Sequence, residues 1–275
     1  MVPSDFKADE KEILNILFQS EEKFTAQAYI KTVKTLLSIS FFEAKKIVQK
    51  LIDDQQLCYN YIYGSTYVEK SFLKPVSMTN NFILKPPGFK GRLNPDDIEI
   101  IIAPGISFGS GSHPTTKLCL EAIDFCFYEK QMTVFHKNLI GADIGTGSGI
   151  LAIAMCLAGL ASCQAYEIDP VSVNEAKKNI KFNHLENKIS VIENKMEESK
   201  NIFSIICANL RYPTLIALSD LIFKSLKHNG IAIISGVRQW EKKDFITVYS
   251  KKGLELIWQQ DSKKWSAFVL VKKMC

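Results

Sequence analysis

The sequence of 275 residues predicts an α/β protein in which a mostly parallel, seven-stranded sheet follows a small helical module. Three observations support this fold class. An apolar stretch, residues 139–144, runs directly into a glycine-rich loop. From there to residue 235, short apolar runs alternate with helical patterns, which is typical of a parallel sheet with right-handed crossovers. The first 75 residues differ, because helical patterns come first and strand patterns last.

The bulk composition is that of a globular protein large enough for two domains, with 47% hydrophobic residues. A net charge of +5 allows an acidic or nucleic-acid partner without requiring one. The seven cysteines include no C-x-x-C pair and the four histidines are scattered, so we expect reduced thiols, a cytoplasmic location and no metal site. No signal-peptide pattern is present, and no apolar run reaches the ~20 residues that a membrane span needs.

Residues 1–75 are predicted to form a winged-helix-like domain. Amphipathic spacing predicts three helices, and two strand patterns then surround a turn at Gly64. The helices are expected over residues 9–20, after a cap at Thr25, and from a capping box at Ser40 to about residue 54. Residues 76–97, rich in Pro, Gly and Asn, are predicted to be a linker, and residues 98–275 the second domain.

The charge of residues 1–75 bears on what this domain binds. The third helix of a winged helix can read nucleic acid, and the alternative is a protein-docking or structural module. These residues carry 10 Lys and 10 Asp plus Glu, so their net charge is zero. DNA-reading domains are usually strongly basic, because phosphate contacts supply much of their affinity. We therefore expect a recruitment domain for a protein, and no nucleic-acid partner.

The glycine loop has the pattern D-x-G-x-G-x-G from Asp143 to Gly149. A strand, a glycine turn and a helix N-terminus together form a cradle for a nucleotide-like ligand. Ile150 stands where a dinucleotide motif needs its third glycine. Glu167 ends the next apolar run, 22 residues after Gly145, where an acid can accept hydrogen bonds from ribose hydroxyls. The alternative is a turn that only tightens the α/β unit.

This pattern resembles that of class I S-adenosylmethionine methyltransferases. The resemblance implies S-adenosylmethionine as the cofactor and a Rossmann-like sheet of seven strands whose last strand is antiparallel. Residues 254–260 and 265–271 are predicted to form the hairpin at the sheet edge.

Asn209 follows the predicted strand 203–208. Ligands of open α/β sheets bind beyond the C-terminal ends of the strands, so we expect Asn209 beside the transferred methyl group. Its amide oxygen can accept a hydrogen bond from an amine. Methyl transfer from a sulfonium is an in-line displacement, which makes positioning the main task of the enzyme. The alternative is that Asn209 caps the next helix.

The loop 108–116, F-G-S-G-S-H-P-T-T, resembles the F-G-T-G-x-H-x-T-T segment of the ribosomal protein L-11 methyltransferase family. D-I-G-T-G-S-G, E-I-D-P, A-N-L, a late G-I-x-x-x-S-G and a C-terminal tryptophan match the same family in order. The resemblance covers about residues 82–273. It implies a protein N-methyltransferase that acts on lysine side chains and an N-terminal α-amine of one protein of the large ribosomal subunit.

The resemblance also implies the site residues. The predicted catalytic residues are Asn209, Thr116 and Phe108. The predicted cofactor-binding residues are Thr116, Asp143, Gly145, Thr146, Gly147, Gly149, Glu167, Ile168 and Asn209. We expect the enzyme to be a monomer whose residues 1–75 dock ribosomal protein L-11. His113 is a candidate base, although a histidine beside Pro114 in a glycine loop more often has a structural role.

Two alternatives to this function are open. Asn209-Leu-Arg-Tyr212 keeps the first and last residues of the N-P-P-Y signature of glutamine and adenine amino-methyltransferases, which would predict transfer to an amide or a nucleic-acid base. The other alternative is a winged-helix regulator whose second half only senses the cofactor. The chain departs from the family in residues 1–75, where the family has a small α/β sandwich, and at Glu167, where it usually has aspartate.

Overall fold

The structure is a computed structural model that describes residues 12–17, 20, 24–62, 65–91, 93–104, 111, 113–130, 138–198 and 202–273. The chain divides into two compact units, Met1–Lys74 and Pro75–Cys275. None of the helices within the described ranges combines the length and the apolar character needed to cross a membrane.

The first unit has the predicted order of three helices followed by a hairpin. Residues 12–17 are helical (α1), and α2 (Ala26–Leu37), α3 (Phe41–Asp53), β1 (Leu57–Ile62) and β2 (Ser65–Lys70) follow. β1 and β2 pair antiparallel. Both predicted caps are present, because Thr25 Oγ1 accepts from Ala28 N at 3.2 Å and Ser40 forms its capping box with Glu43. A common core includes Ile13, Tyr29, Val33, Val48, Leu57 and Val68.

Part of the segment predicted to be a linker, residues 76–97, is folded into the second unit. β3 (Val76–Ser77) pairs antiparallel with β4 (Phe82–Lys85), which pairs parallel with β5 (Ile98–Ile101). Phe82 is fully buried, and Asn81 Nδ2 donates to Asp124 Oδ1 at 3.0 Å. The turn-forming residues on either side make the local sequence look like a loop. The short strands form because they pack against residues that are distant in the chain.

The main sheet of the second unit has seven strands, β6 (Ile140–Ile144), β7 (Ser162–Tyr166), β8 (Ile189–Ile192), β9 (Phe203–Asn209), β10 (Leu226–Arg238), β11 (Leu254–Ser262) and β12 (Trp265–Lys272). Their spatial order is β11-β12-β10-β9-β6-β7-β8. The pairs from β8 to β10 are parallel, and β12 is antiparallel to both of its neighbours. This order confirms the predicted sheet with its antiparallel last strand.

α4 (Pro114–Asp124) precedes the first strand of this sheet. The helices that connect its strands are α5 (Ile150–Leu157), α6 (Pro170–Phe182), α7 (Tyr212–Ser225) and α8 (Lys242–Lys251), as the alternation predicts. α4 continues into a π-helical turn over Phe125–Glu129. Asp169 caps α6 by accepting from Ser172 N at 2.9 Å, with proline at the first helical position as predicted.

A buried lysine of the last strand holds the C-terminus of α7. Lys272 is 6% exposed, and its Nζ donates to the carbonyl oxygens of Phe223 and Leu226, each at 2.8 Å. The same nitrogen lies 4.4 Å from the centroid of the Phe223 ring. The last carbonyls of a helix lack donors within the helix, and a cation there also matches the helix dipole. β12 is thereby tied to the end of α7.

We expect Lys272→Met to lower the free energy of unfolding by about 1–3 kcal/mol, because one buried and one partly buried carbonyl oxygen lose their donor while the aliphatic stem is kept. Lys273→Met is the matched control. That side chain is 63% exposed and pairs with Glu255, a surface interaction worth at most about 1 kcal/mol. Urea denaturation of the two variants measures the difference. Equal losses would contradict the role assigned to Lys272.

Candidate active site

The candidate site lies where the strand order of the main sheet reverses. From β6 the chain moves outward through β7 and β8, and then returns to β9 on the other side of β6. Ligands of open α/β sheets bind beyond the C-terminal strand ends at such a point. A cleft of about 840 Å³ is present there, lined by residues from the ends of β6, β7, β9 and β10.

The glycine loop after β6 has a backbone that favours glycine at three alternate positions. Gly145, Gly147 and Gly149 have φ angles of +71°, +55° and +85°. Residues with a side chain are strained at such angles, so the positive φ values explain the glycines of the D-x-G-x-G-x-G pattern. The N–H groups of Gly145 and Thr146 both donate to Tyr166 O, at 2.9 and 3.0 Å. The loop is thereby bound to the end of β7 before it opens α5.

Asp143 anchors this loop from behind. It is 1% exposed, and its Oδ2 accepts from Thr146 Oγ1 at 2.6 Å and from Ala152 N at 3.2 Å. Its Oδ1 is buried and has no hydrogen-bond partner among the described residues. Burial raises the pKa of Asp143 to about 6, although the two hydrogen bonds lower it, and the charge of Glu167 adds to the rise. The carboxylate thus supports the loop and does not line the cleft.

Glu167 joins the end of β7 to the glycine loop and lines the cleft. Its Oε2 accepts from Gly147 N at 3.0 Å, and its Oε1 accepts from Ile168 N at 2.8 Å and Asp169 N at 3.0 Å. A carboxylate offers roughly four lone-pair positions, so it can still accept from a further hydroxyl. Ile168 lies at the rim and is 62% exposed. This arrangement can hold the ribose of a nucleoside.

Asn209 is the last residue of β9 and lines the same cleft. Its Oδ1 is buried and has no partner in the part of the chain that the structure describes. α7 starts at Tyr212 with Arg211 in the N-cap position, so Asn209 is not the helix cap. A buried acceptor left unpaired costs about 1–3 kcal/mol. The site therefore offers an oxygen that a donor group on a ligand can satisfy.

Leu210 is held between two glycines of the cleft. A Cβ atom at Gly145 would lie 2.6 Å from Leu210 Cδ2, and one at Gly236 would lie 1.9 Å from Leu210 O. Leu210 N also donates to Ser235 O at 3.1 Å. Gly236 is the last residue of the G-I-A-I-I-S-G segment. Because it has no side chain, β10 can approach the backbone of Leu210 closely.

Part of the cleft lining is aromatic, around Trp265. The guanidinium carbon of Arg238 lies 3.5 Å from the centroid of the Trp265 ring, and the His113 ring meets the same indole edge-on at 5.2 Å. His113 is the N-cap of α4, and its Nδ1 accepts from Thr115 N at 3.3 Å. This contact supports the structural role for His113, which nevertheless lines the cleft.

The sequence-predicted residues divide into those that line the cleft and those that do not. Gly145, Gly147, Glu167, Ile168 and Asn209 line it. Asp143, Thr146 and Gly149 lie in the loop behind its surface, and Thr116 is fully buried on α4. Thr116 Oγ1 has no partner within the described ranges, while the neighbouring Thr115 lines the cleft. Phe108 lies outside the described residues. The roles of all these residues stay predictions.

Several cleft residues were not assigned a role from the sequence. They are Tyr166, Asn194, Lys195, Met196, Gly236 and Arg238, and they come from three different strand ends. The late tryptophan and the S-G pair were noted only as matches to a family. No local pattern could have placed Arg238, because the antiparallel partner β12 brings Trp265 to it. The described residues contain no cluster of three His, Cys, Asp or Glu side chains that could hold a metal ion.

Comparisons with known proteins agree on one family. The family model of ribosomal protein L11 methyltransferase (PrmA) matches residues 8–273. The ribosomal protein L11 methyltransferase of Carboxydothermus hydrogenoformans is 36% identical over 206 residues, which cover 74% of this chain and 65% of that protein. The protein of the same name from Fusobacterium nucleatum is 29% identical over 286 residues, which cover 98% of this chain and 85% of that protein. The chain thus matches slightly less than two thirds of the first relative's length.

A solved structure also shows the fold. The ribosomal protein L11 methylase of Lactobacillus delbrueckii subsp. bulgaricus superposes with a TM-score of 0.62 at 24% identity. The superposition covers 73% of this chain and all (100%) of that chain.

We expect Gly236→Ala to weaken the binding of S-adenosylhomocysteine by at least about tenfold, because the added Cβ would displace the Leu210 backbone and, through it, Gly145. Gly253→Ala is the control. Gly253 has nearly the same φ, +90° against +93°, but its nearest contact is an ordinary 3.4 Å. Both variants carry backbone strain of about 1–2 kcal/mol. Equal affinities of the two variants in calorimetric titration would contradict the idea that the close contact between Gly236 and Leu210 shapes the cleft.

Asp143→Asn should remove a pH dependence of stability. The carboxyl pKa is raised to about 6 in the folded protein, so its contribution is fully present below the ordinary value of 3.8 and is lost as pH rises towards 6. Across that range, the unfolding free energy of the wild type should fall by up to about 3 kcal/mol relative to the variant, whose amide oxygen still accepts from Thr146 and Ala152. Denaturant titrations at several pH values measure this difference. Parallel pH profiles would contradict it.

Proposed function

The chain belongs to the ribosomal protein L11 methyltransferase family, and from this premise we propose that it transfers methyl groups from S-adenosylmethionine to an amine of ribosomal protein L11. The acceptor is a lysine side chain or an N-terminal α-amine. The observation that carries the proposal is the buried Asn209 Oδ1, an acceptor without a partner among the described residues, in the same cleft as the glycine loop.

The residues of the cleft fit S-adenosylmethionine. Glu167 has about one lone-pair position left for a ribose hydroxyl, and the positive φ angles of Gly145 and Gly147 keep side chains out of the loop that would pass beneath the cofactor. The N-terminus of α5 follows that loop, and the helix dipole favours a polar ligand there. When bound, the cofactor supplies an electrophilic methyl group on a sulfonium.

The residues of this chain then position the acceptor. A methyl transfer needs a neutral amine whose lone pair points along the displacement axis. Asn209 Oδ1 accepts a hydrogen bond from an amine N–H and so turns the lone pair towards the methyl group. A lysine must first lose a proton, since its usual pKa is about 10.4, whereas an α-amine with a pKa of about 7.7–8.0 loses it readily. Solvent takes that proton before the amine enters the cleft.

The first unit is the proposed docking module for the protein substrate. Its helix α3 exposes two aromatic side chains near its N-terminus, Phe41 at 42% and Phe42 at 65%. Lys46 Nζ lies 4.6 Å from the centroid of the Phe42 ring. Exposed aromatic side chains of this size are typical of protein-binding surfaces. We propose that the enzyme acts as a monomer in the cytoplasm, where ribosomal proteins are made.

The test is methyl transfer from labelled S-adenosylmethionine to purified, unmethylated L11 of the same organism, with total cell protein and total nucleic acid in parallel. The wild type should label L11. Asn209→Ala should lower kcat by about 100-fold because the amine is no longer oriented, with little change in the affinity for S-adenosylhomocysteine. Asn187→Ala, an exposed asparagine in the turn before β8, should transfer at the wild-type rate.

Three other results would count against the proposal. Label only in another protein would reassign the substrate and keep the chemistry. Label in nucleic acid alone would favour an amino-methyltransferase on a base. No label anywhere, with cofactor binding intact, would favour the cofactor-sensing regulator.

A further inference from the structure

Two asparagines of α6 bind a strand edge in the second unit. Asn183 Oδ1 accepts from Ile101 N at 2.9 Å, and Asn179 Oδ1 accepts from Ala103 N at 3.0 Å. The intervening Ile102 N donates at 3.1 Å to Lys85 O on the opposite side, where β4 lies. α6 therefore provides hydrogen-bond acceptors for the N–H groups of residues 101 and 103, which point away from β4.

The spacing of the two asparagines matches this edge. Four residues of an α-helix advance about 6 Å, and two residues of a strand advance about 6.6 Å. Alternate N–H groups of a strand point to the same edge, so residues 101 and 103 present theirs together. Two side chains one helical turn apart can therefore bind both N–H groups at once.

Asn179 makes a further contact that Asn183 does not. Its Nδ2 donates to Ser148 O at 2.8 Å, inside the glycine loop. Asn179 is 2% exposed, so this bond is shielded from water. The Nδ2 of Asn183 instead donates to Ile101 O and Asn179 O, both at 2.8 Å. Of the two asparagines, Asn179 thus connects the glycine loop to residues 101–103.

We propose that Asn179 is a positioning residue that fixes the glycine loop in its ligand-binding shape and in register with residues 101–103. Ser148 stands between Gly147 and Gly149, the two loop positions with φ of +55° and +85°. The peptide group between Ser148 and Gly149 is held on both sides, because its N–H donates to Thr146 O at 2.9 Å within the loop and its carbonyl oxygen accepts from Asn179 outside it.

The test compares Asn179→Asp with Asn183→Asp. Asn179→Asp keeps an oxygen for Ala103 N, removes the donor to Ser148 O and places a carboxyl where the side chain is 2% exposed. Asn183→Asp keeps an oxygen for Ile101 N, removes the donor to Ile101 O and Asn179 O, and places a carboxyl at a half-buried position. Thermal melts without ligand measure the stability that each variant loses, so that the loss of binding can be compared with it. Asn179→Asp should raise the Kd for S-adenosylhomocysteine by at least about tenfold, since the carboxylate repels Ser148 O, whereas Asn183→Asp should stay within about twofold of the wild type.

The pH dependence of binding gives a second readout that a purely structural role would not produce. Lowering the pH protonates the new carboxyl, which can then donate to Ser148 O. The Kd of Asn179→Asp should therefore approach that of the wild type measured at the same pH, a comparison that cancels the titration of Asp143 in the same loop. Asn179→Ala, measured with Asn183→Ala, covers the case in which the acidic variants do not fold.

Equal Kd values for the variants at positions 179 and 183, or wild-type affinity in both Asn179 variants, would overturn this role. The inference rests on the cofactor cradle of the proposed function. Binding of S-adenosylhomocysteine is measured without any acceptor, so a failure here is distinguishable from an error about L11.

Discussion

The hydrogen bonds to the buried carboxylate of Asp143 are the interaction on which the rest of the site depends. One oxygen accepts from Thr146 Oγ1 within the glycine loop and from Ala152 N in the first turn of α5, so it fixes the loop and the helix that follows. Burial of this group is unfavourable, as its raised pKa shows. Burial of this carboxylate therefore costs some stability, while its hydrogen bonds hold the loop in one shape without a ligand.

The strand order brings the other residues of the cleft to the glycine loop that Asp143 holds. Because β6 lies between β7 and β9, the glycine loop, Glu167 and Asn209 meet at one edge of the sheet. Contacts from further away then fix the distances between them. Leu210 fits between Gly145 and Gly236, and Asn179 joins the loop to residues 101–103. The glycine loop is thus held by contacts from several separate elements.

The site's chemistry is mostly a matter of placement. The described cleft holds no metal-binding cluster, and its acid, Glu167, is already bound to three backbone N–H groups. The group that faces the cleft with an unsatisfied acceptor is Asn209, which suits an amine that needs orientation more than it needs a base. Arg238 stacked on Trp265 forms another part of the cleft lining. This division of roles agrees with an in-line methyl transfer, in which the reacting atoms need alignment above all.

Features that depend only on neighbouring residues were predictable from the amino-acid order. Glycines at alternate positions, the Ser40 capping box and the alternation of strands and helices predicted the loop, the caps and the sheet, because backbone angles and short-range hydrogen bonds impose those residues locally. Other features arise only when distant parts of the chain pack together in the tertiary structure. It made β4 a strand within a segment of turn formers, placed Thr116 behind the cleft surface, and brought Arg238, Trp265 and His113 together. These outcomes depend on contacts between residues far apart in the chain, and no local periodicity records which distant partner a side chain will meet.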